Sequence, residues 1–469
     1  MSESPPASTG PLKGDLTKGP LGRTLIAFAV PQMIGNVMQS LNGSINAVWV
    51  GRLLGNGALA ATANANIIMF LLFALVFGFG MAATVKVGQA WGRKDVDAAR
   101  RSLGTAIGLT FMLALATSLG GWILAPAMLR ALATPGESYG EALIYLRVVF
   151  IANPAATITT MLAMGMRGAG DAATPLRFMI LTSLLDVILN PLLIMGWGPI
   201  PAMGIGGSAL ATVIASFLGL FGMVTWIYAK DLPLRLRGSE LAFLKPRRSE
   251  LRYILGKGLP MGAQMLVISG AGVIMIGLVN REGMAMASAY GALLQVWNYI
   301  GMPAMAIGAA VSAMVAQHVG AGREDRVDAI GRAGSIANLA ITATLLGILL
   351  LTDRPLLALF LGSSSPALPV ALHIQDLAIW TYLPFGITIV LFGTLRAYGV
   401  VYSQLLVLFT SMYAIRYGAY WLLYPHVGAD ALWYSLILSS TMSMVLTLVA
   451  YFKGGWRRKM RARIAAASV

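Results

Sequence analysis

The sequence predicts an all-α polytopic membrane protein: twelve transmembrane helices in two six-helix lobes related by a parallel internal repeat. Three observations predict it. The 469 residues are 57% hydrophobic and only 11% charged, with a mean hydropathy of +0.75, a composition outside the range of soluble globular domains. Twelve stretches reach the roughly 20 mostly apolar residues that a spanning helix needs. Segments of the first half recur in the second at a nearly constant spacing.

The expected spans begin near Leu25, Thr62, Leu103, Ala142, Phe178 and Gly207, then near Gly258, Ala287, Gly334, Ala371, Gln404 and Ala431. Those near Thr62 and Ala287 run long, which predicts tilt or extension beyond the bilayer. Barrel strands would be short and alternating, so helices are the reading.

The repeat is visible in several places. Pro31 and Pro260 lie 229 residues apart, "NGALAATA" at Asn56 is echoed by "EGMAMASA" at Glu282, "QAWGRKDVDAARR" from Gln89 by "QHVGAGREDRVDAIGR" from Gln317, and "RGAG" from Arg167 by "RAYG" from Arg396. A duplicated unit with an even number of spans inserts both copies the same way up, and two such lobes suit a carrier that rocks around a central cavity. The expected divisions are an N-terminal tail at 1–23, an N-lobe at 24–230, a linker at 231–256, a C-lobe at 257–453 and a basic tail at 454–469. The linker, with "KPRRSELR", is a candidate interfacial helix.

The net charge of +16 is a topology signal rather than a nucleic-acid surface. Alternate loops and both tails collect most of the 34 Lys and Arg, including Lys13, Lys18, Arg93, Lys94, Arg167, Arg177, Arg247, Arg248, Arg323, Arg396, Lys459, Arg461 and Arg463. The opposite side holds Arg52, Arg130, Arg281 and Arg354. The positive-inside rule therefore makes both termini cytoplasmic in a multi-pass protein of the inner membrane. Residues 1–23 lack a signal-peptide pattern, so the first span is expected to direct insertion. Trp49, Trp91, Trp122, Trp197 and Trp226 fall near span ends, as an interfacial belt predicts.

Several chemistries find no support. There is no cysteine, the three histidines are far apart in sequence, and "GKG" at 256–258 lacks the spacing of a phosphate-binding loop. No cofactor, no enzymatic activity, no nucleic-acid partner and no structural metal are expected.

Polar residues inside spans carry what remains. Gln32, Asn36, Gln39, Gly43 and Asn46 repeat at helical spacing on one face of the first span, so they meet other helices or a watery cavity. Asp186 lies near the bilayer centre, where a charge costs about 2.5–3.5 kcal/mol unless compensated. Asn190 follows one turn later on the same face. A carboxylate caught between desolvation and a cation can exchange a proton or Na⁺; the alternative is a hydrogen-bonded helix tie. Lys86 is expected to snorkel to the headgroups. Asp376 and Arg416 fall at similar depth and are expected to pair, the alternative placing either one in the cavity. The position 229 residues after Asp186 is Ile415, one short of Arg416, so the halves have diverged in charge.

These segments together resemble the multidrug and toxic compound extrusion (MATE) family of cation-coupled transporters. The resemblance runs through "VPQMIGNVMQSLNGSINAVWVGRLLGNGALAA", "QAWGRKD", "MRGAGDAATP", "DVILNPLLI", "GLPMGAQ" and "TLRAYG". It implies export of organic cations or amphiphilic drugs in exchange for H⁺ or Na⁺ by alternating access. The DinF-like branch places an N-lobe cation site on an aspartate in helix one, an Asn-x-x-x-Asp pair in helix five and a hydroxyl in helix six. Here the helix-one position is Asn46, the pair is reversed to Asp186 and Asn190, and the hydroxyl is Thr212, with Ser208 its rival. The NorM-like branch uses acids in helices seven and ten, but the matching positions here are Ile268 and Phe385. The chain is thus closer to the DinF-like branch.

The expected cation site is Asp186 with Asn190, Asn46 and Thr212, where one acid without a second charge favours H⁺ and the oxygens would also serve Na⁺. The expected substrate cavity includes Gln32, Asn36, Gln39, Met261 and Gln264. Flexible Met side chains such as Met261, Met265, Met275, Met302 and Met305 suit either a promiscuous wall or ordinary packing. Small organic cations or amphiphiles and membrane lipids are the expected partners of a monomer. The alternative is a flippase for lipids or lipid-linked saccharides, which a cavity lined by basic residues would favour.

Overall fold

The computed structural model describes residues 14–131, 134, 136–199, 201–458 and 460. Lys13, Lys459, Arg461, Arg463 and much of both expected tails lie outside the described residues. Among the described residues the structure is helical throughout its core. The first half comprises α1 (Leu21–Leu54), α2 (Asn56–Gly92), α3 (Val96–Ala131), α4 (Gly136–Gly168), α5 (Ala173–Met195) and α6 (Gly204–Ala229). The second comprises α7 (Arg248–Arg281), α8 (Met284–Gly320), α9 (Val327–Leu361), α10 (Ala367–Ala378), α11 (Tyr382–Ala397), α12 (Tyr402–Phe409), α13 (Arg416–Val427) and α14 (Ala431–Lys453).

Every expected span start falls inside a helix, because a bilayer leaves a lone segment no other way to pair its backbone. Ten helical stretches among the described residues are long and apolar enough to cross a membrane. One of these, Tyr402–Arg458, contains α12, α13 and α14, and α14 packs back along α13 after a turn at Gly428 (φ +58°). The 34-residue α1 is not in that set: its amides at 32, 36, 39, 42 and 46 lower its hydropathy.

The second half is broken where the first is continuous. A short 3₁₀ turn, Ile379–Thr381, separates α10 from α11, and a π turn, Thr410–Ile415, separates α12 from α13. A π turn is wider than an α turn and redirects the side chains that follow it, and Arg416 is the first residue after it.

Helices α1–α6 pack mainly on one another, as do α7–α14, while α2 runs along α7 and α8, and α1 along α8. The crossing of α2 and α8 requires glycine on both sides. A Cβ at Gly92 would overlap the carbonyl oxygen of Gln317, and a Cβ at Gly320 that of Gln89. With the backbones this close, Gln89 Nε2 donates to the carbonyl oxygen of Ala397 at 2.9 Å, and Gln317 Nε2 to that of Gly168 at 3.0 Å. Gly168 and Ala397 end α4 and α11, so their carbonyls have no partner within their own helices.

The segment before α1 straps this same end. Leu16 donates its backbone N–H to Gln317 Oε1 at 2.8 Å, and its side chain is buried against α8. Toward the other end, among the described residues, a single side-chain hydrogen bond joins the halves, from Asn298 Nδ2 to Ser40 Oγ at 3.4 Å. The molecule is therefore closed at the strap end.

The linker does not lie free. Its 3₁₀ helix, Gly238–Leu244, packs on α3, where Gly104 and Gly108 leave room for Phe243 and Leu244. Lys86, expected to snorkel, pairs with Glu250 at 3.6 Å over the ring of Tyr253, because the start of α7 comes within its reach. Trp91, expected in an interfacial belt, is 4% exposed and packs in the core below Ala99 and Leu103.

Candidate functional site

Two cavities hold most of the polar residues that the sequence singles out on α1, α5, α6 and α7. The first, of about 330 Å³, lies within the first half toward the end opposite the strap. It is lined by the C-terminal part of α1, the N-terminal parts of α2 and α4, and by α5 and α6. Asp186 is the single carboxylate in its wall, among amides and hydroxyls that include Asn42, Asn46, Tyr145 and Thr212.

Asp186 is 3% exposed. Its Oδ2 accepts from Asn42 Nδ2 at 3.0 Å, and its Oδ1 accepts from Thr212 Oγ1 at 3.0 Å and from Asn190 Nδ2 at 3.3 Å. Asn190 also returns a hydrogen bond to the Asp186 carbonyl at 3.0 Å, which fixes its amide on the helix face. Behind this group Ser208 Oγ donates to Asn190 Oδ1 at 2.6 Å and lies 3.2 Å from Asn46 Oδ1.

The helical spacing thus brings Asp186, Asn190 and Thr212 together, while Asn46 joins only through Ser208. Both rival hydroxyls take part, in different roles. Asn42 is a partner that the sequence does not single out: it lies four residues before Asn46, beside the 39, 43 and 46 spacing that includes Gly43 instead. Its Oδ1 is buried without a partner.

All three donors to the carboxylate are uncharged, so no group that touches it cancels its charge. The group fits a cation. A half-turn of the Asn42 amide would exchange its N–H₂ for an acceptor oxygen facing a protonated carboxyl. The carboxylate, Thr212 Oγ1, Ser208 Oγ and turned amide oxygens are equally the hard oxygen donors that Na⁺ takes.

The second cavity, of about 120 Å³, lies between the halves just inside the closed strap end. Gln32, Asn36, Met261 and Gln264 line it, as expected, together with Met81, Met164, Met265 and Met305. Gln39 lines neither cavity and is exposed; the α1 stripe is shared between two cavities, and residue 39 falls between them.

Arg167 and Arg396, expected among the cytoplasmic loop charges, are in the wall of this second cavity. They occupy the last turns of α4 and α11, and inward packing of those turns carries them between the halves.

The expected pair of Asp376 and Arg416 does not form. Asp376 is exposed, and Arg416 is buried with its Nε donating to Ser439 Oγ at 3.0 Å. Arg416 follows the π turn directly, and the turn directs it toward α14 instead of α10.

Comparisons with known proteins agree with this architecture. The chain is 28% identical over 450 residues to the "Probable multidrug resistance protein YoeA" of Bacillus subtilis, covering 96% of this chain and 97% of that one. It is 26% identical over 385 residues to the "FAD transporter" of Shewanella oneidensis, covering 82% and 84%. Its fold superimposes with a TM-score of 0.86 and 19% identity on a structure described as the outward-facing conformation of a multidrug resistance MATE family transporter of the MOP superfamily, covering 96% of this chain and 98% of that one. The MatE family profile matches twice, at residues 31–192 and at residues 260–421. Those two matches take in most of the chain, and the protein belongs to the MatE family of membrane transporters.

Proposed function

We propose that this transporter is a secondary active antiporter that exports organic cations or amphiphilic compounds in exchange for a cation bound at Asp186. The observation that carries the reading is that Asp186 is the one carboxylate lining either cavity and is held by neutral donors alone. Neutralising it by H⁺ or Na⁺ removes a charge that costs about 2.5–3.5 kcal/mol at mid-bilayer. Neutralisation also weakens the bond from Asn42 Nδ2 to the carboxylate that ties α1 to α5, and the amide must turn to remake it. Cation arrival from outside therefore repacks α1 against α5 and weakens the hold on cargo, and cation release inward resets it. A single acid favours H⁺.

The two family matches support two six-helix lobes in a parallel repeat. With α10 and α11 forming one span and α12 and α13 another, the helices make twelve spans. In this reading the lobes are 24–230 and 257–453, both termini face the cytoplasm across the inner membrane, the chain works as a monomer, and Asp186 with Asn190 allies it to the DinF-like branch. The name of the Bacillus subtilis relative supports drug-like cargo.

The test is export of a fluorescent organic cation and of a fluorescent amphiphile from proteoliposomes under separate proton and Na⁺ gradients. Wild type is expected to respond to one gradient and Asp186→Asn to neither. Coupled export by Asp186→Asn at the wild-type rate would overturn the role of Asp186. A second reading, a flippase for lipids or lipid-linked saccharides, is favoured by one observation, the two arginines in the wall between the halves.

A further inference from the structure

We propose, on the transport reading above and for its amphiphilic rather than its cationic cargo, that the cavity between the halves is an anion site, and that this cargo carries a carboxylate or phosphate group held between Arg167 and Arg396.

Both arginines line this cavity, and no Asp or Glu does. Among the described residues neither arginine has a carboxylate within ion-pair distance. Arg167 makes one weak contact, from Nη2 to Met179 Sδ at 3.6 Å, and no described residue accepts a hydrogen bond from Arg396. The Nε of each is buried and unpartnered. Both side chains are half-buried, and charge drawn partly out of water without a partner is costly. The helix C-termini on which the two residues sit offer each only about half a negative charge.

The remaining polar groups of the wall are neutral: Gln32, Asn36, Thr84 and Gln264. Guanidinium is the side chain whose planar fork matches carboxylate and phosphate oxygens two at a time. One arginine comes from each half, so an anion between them bridges the two moving parts. The methionines in the same wall suit an apolar body attached to that anion. Two charge signs are thereby separated: an acidic cavity for the coupling cation in the first half, and a basic one for cargo between the halves.

The experiment is equilibrium binding of carboxyfluorescein to the full chain in phosphatidylcholine nanodiscs, with tetraphenylphosphonium as the cationic comparison. Wild type is expected to bind the dye, and Arg167→Gln/Arg396→Gln to bind it about tenfold or more weakly, with affinity for tetraphenylphosphonium unchanged or higher. Arg167→Lys/Arg396→Lys should recover part of the loss. Displacement of the dye by inorganic pyrophosphate identifies a soluble anion as the occupant. Displacement only by phosphatidylglycerol in the disc identifies a lipid headgroup, and either supports the site. Equal dye binding by wild type and the double Gln variant overturns it. Should that variant not fold, failure of both pyrophosphate and phosphatidylglycerol to displace dye from wild type overturns it equally. Binding needs no gradient, so retained dye binding in Asp186→Asn separates this proposal from the fate of the antiport reading.

Discussion

Gln89 and Gln317 make the same hydrogen bond in opposite directions across the middle of the molecule. Each donates its side-chain amide to the last carbonyl of a helix in the other half, Ala397 at 2.9 Å and Gly168 at 3.0 Å. The two bonds lock the strap end, and any state open at that end must break both. A buried hydrogen bond contributes about 1 kcal/mol net, so Gln89→Ala and Gln317→Ala should each raise the population open at that end about fivefold. The chain has no cysteine, and a cysteine introduced at Met305, in the wall of the inner cavity, reports the opening. Labelling by an impermeant maleimide from the strap side should accelerate in both variants; an unchanged rate would show that the two bonds do not control access.

Glycines 92 and 320 permit that lock. A Cβ at either position overlaps a backbone oxygen, which cannot turn aside as a side chain can. Gly92→Val and Gly320→Val should each cost about 1–3 kcal/mol in the closed state, the usual penalty of overpacking. Thermal unfolding in detergent, compared with Gly22→Val at a site with open space, measures the difference.

The donors around Asp186 give a graded prediction. Thr212→Ala and Asn42→Ala each remove one hydrogen bond to a carboxylate, a contact worth about 1.5–3 kcal/mol. Gradient-driven export should fall about tenfold or more in each. Asn36→Ala, in the other cavity, should alter cargo affinity while leaving the ion dependence as it is. Equal ion responses in all three variants would remove Asn42 and Thr212 from the coupling site.

Arg416 and Asp376 separate contact from proximity in sequence pattern. Because Arg416 donates to Ser439, Ser439→Ala should destabilise the protein by about 1–3 kcal/mol. Asp376→Ala should stay within about 0.5 kcal/mol, as exposed substitutions do. Unfolding midpoints of the two variants in the same detergent decide it, and the reverse order would restore the pair.

The legible parts of this chain are those that a bilayer makes expensive. Apolar runs had to be helices, and Asp186 stood out because a charge in such a run needs a reason. Its partners on the same face, one turn away, followed from helical spacing. Asn42 did not, because the stripe on α1 is wide enough to admit two readings and only the position of α5 selects between them. Arg167 and Arg396 were misplaced for a related reason. A basic residue in the last turn of a helix has the same sequence signature whether it faces headgroups or turns inward, and inward packing is a property of the other half. Lys86 found Glu250 and Arg416 missed Asp376 on the same principle: the distances are set by how helices far apart in sequence come to rest.

The π turn at Thr410–Ile415 shows how a local change of helix geometry lets two similar halves present different side chains at matching depth. A π turn spaces its hydrogen bonds five residues apart instead of four, and so redirects the side chains that follow it by about one residue's 100°. In α5 an acid faces a cavity; after the π turn an arginine turns onto a neighbouring serine and acts as a strut. Straightening that turn would not create a second ion site, since neither Ile415 nor Arg416 is an acid. The asymmetry therefore rests on side-chain identity as well as on helix geometry, and changing either one alone leaves it in place.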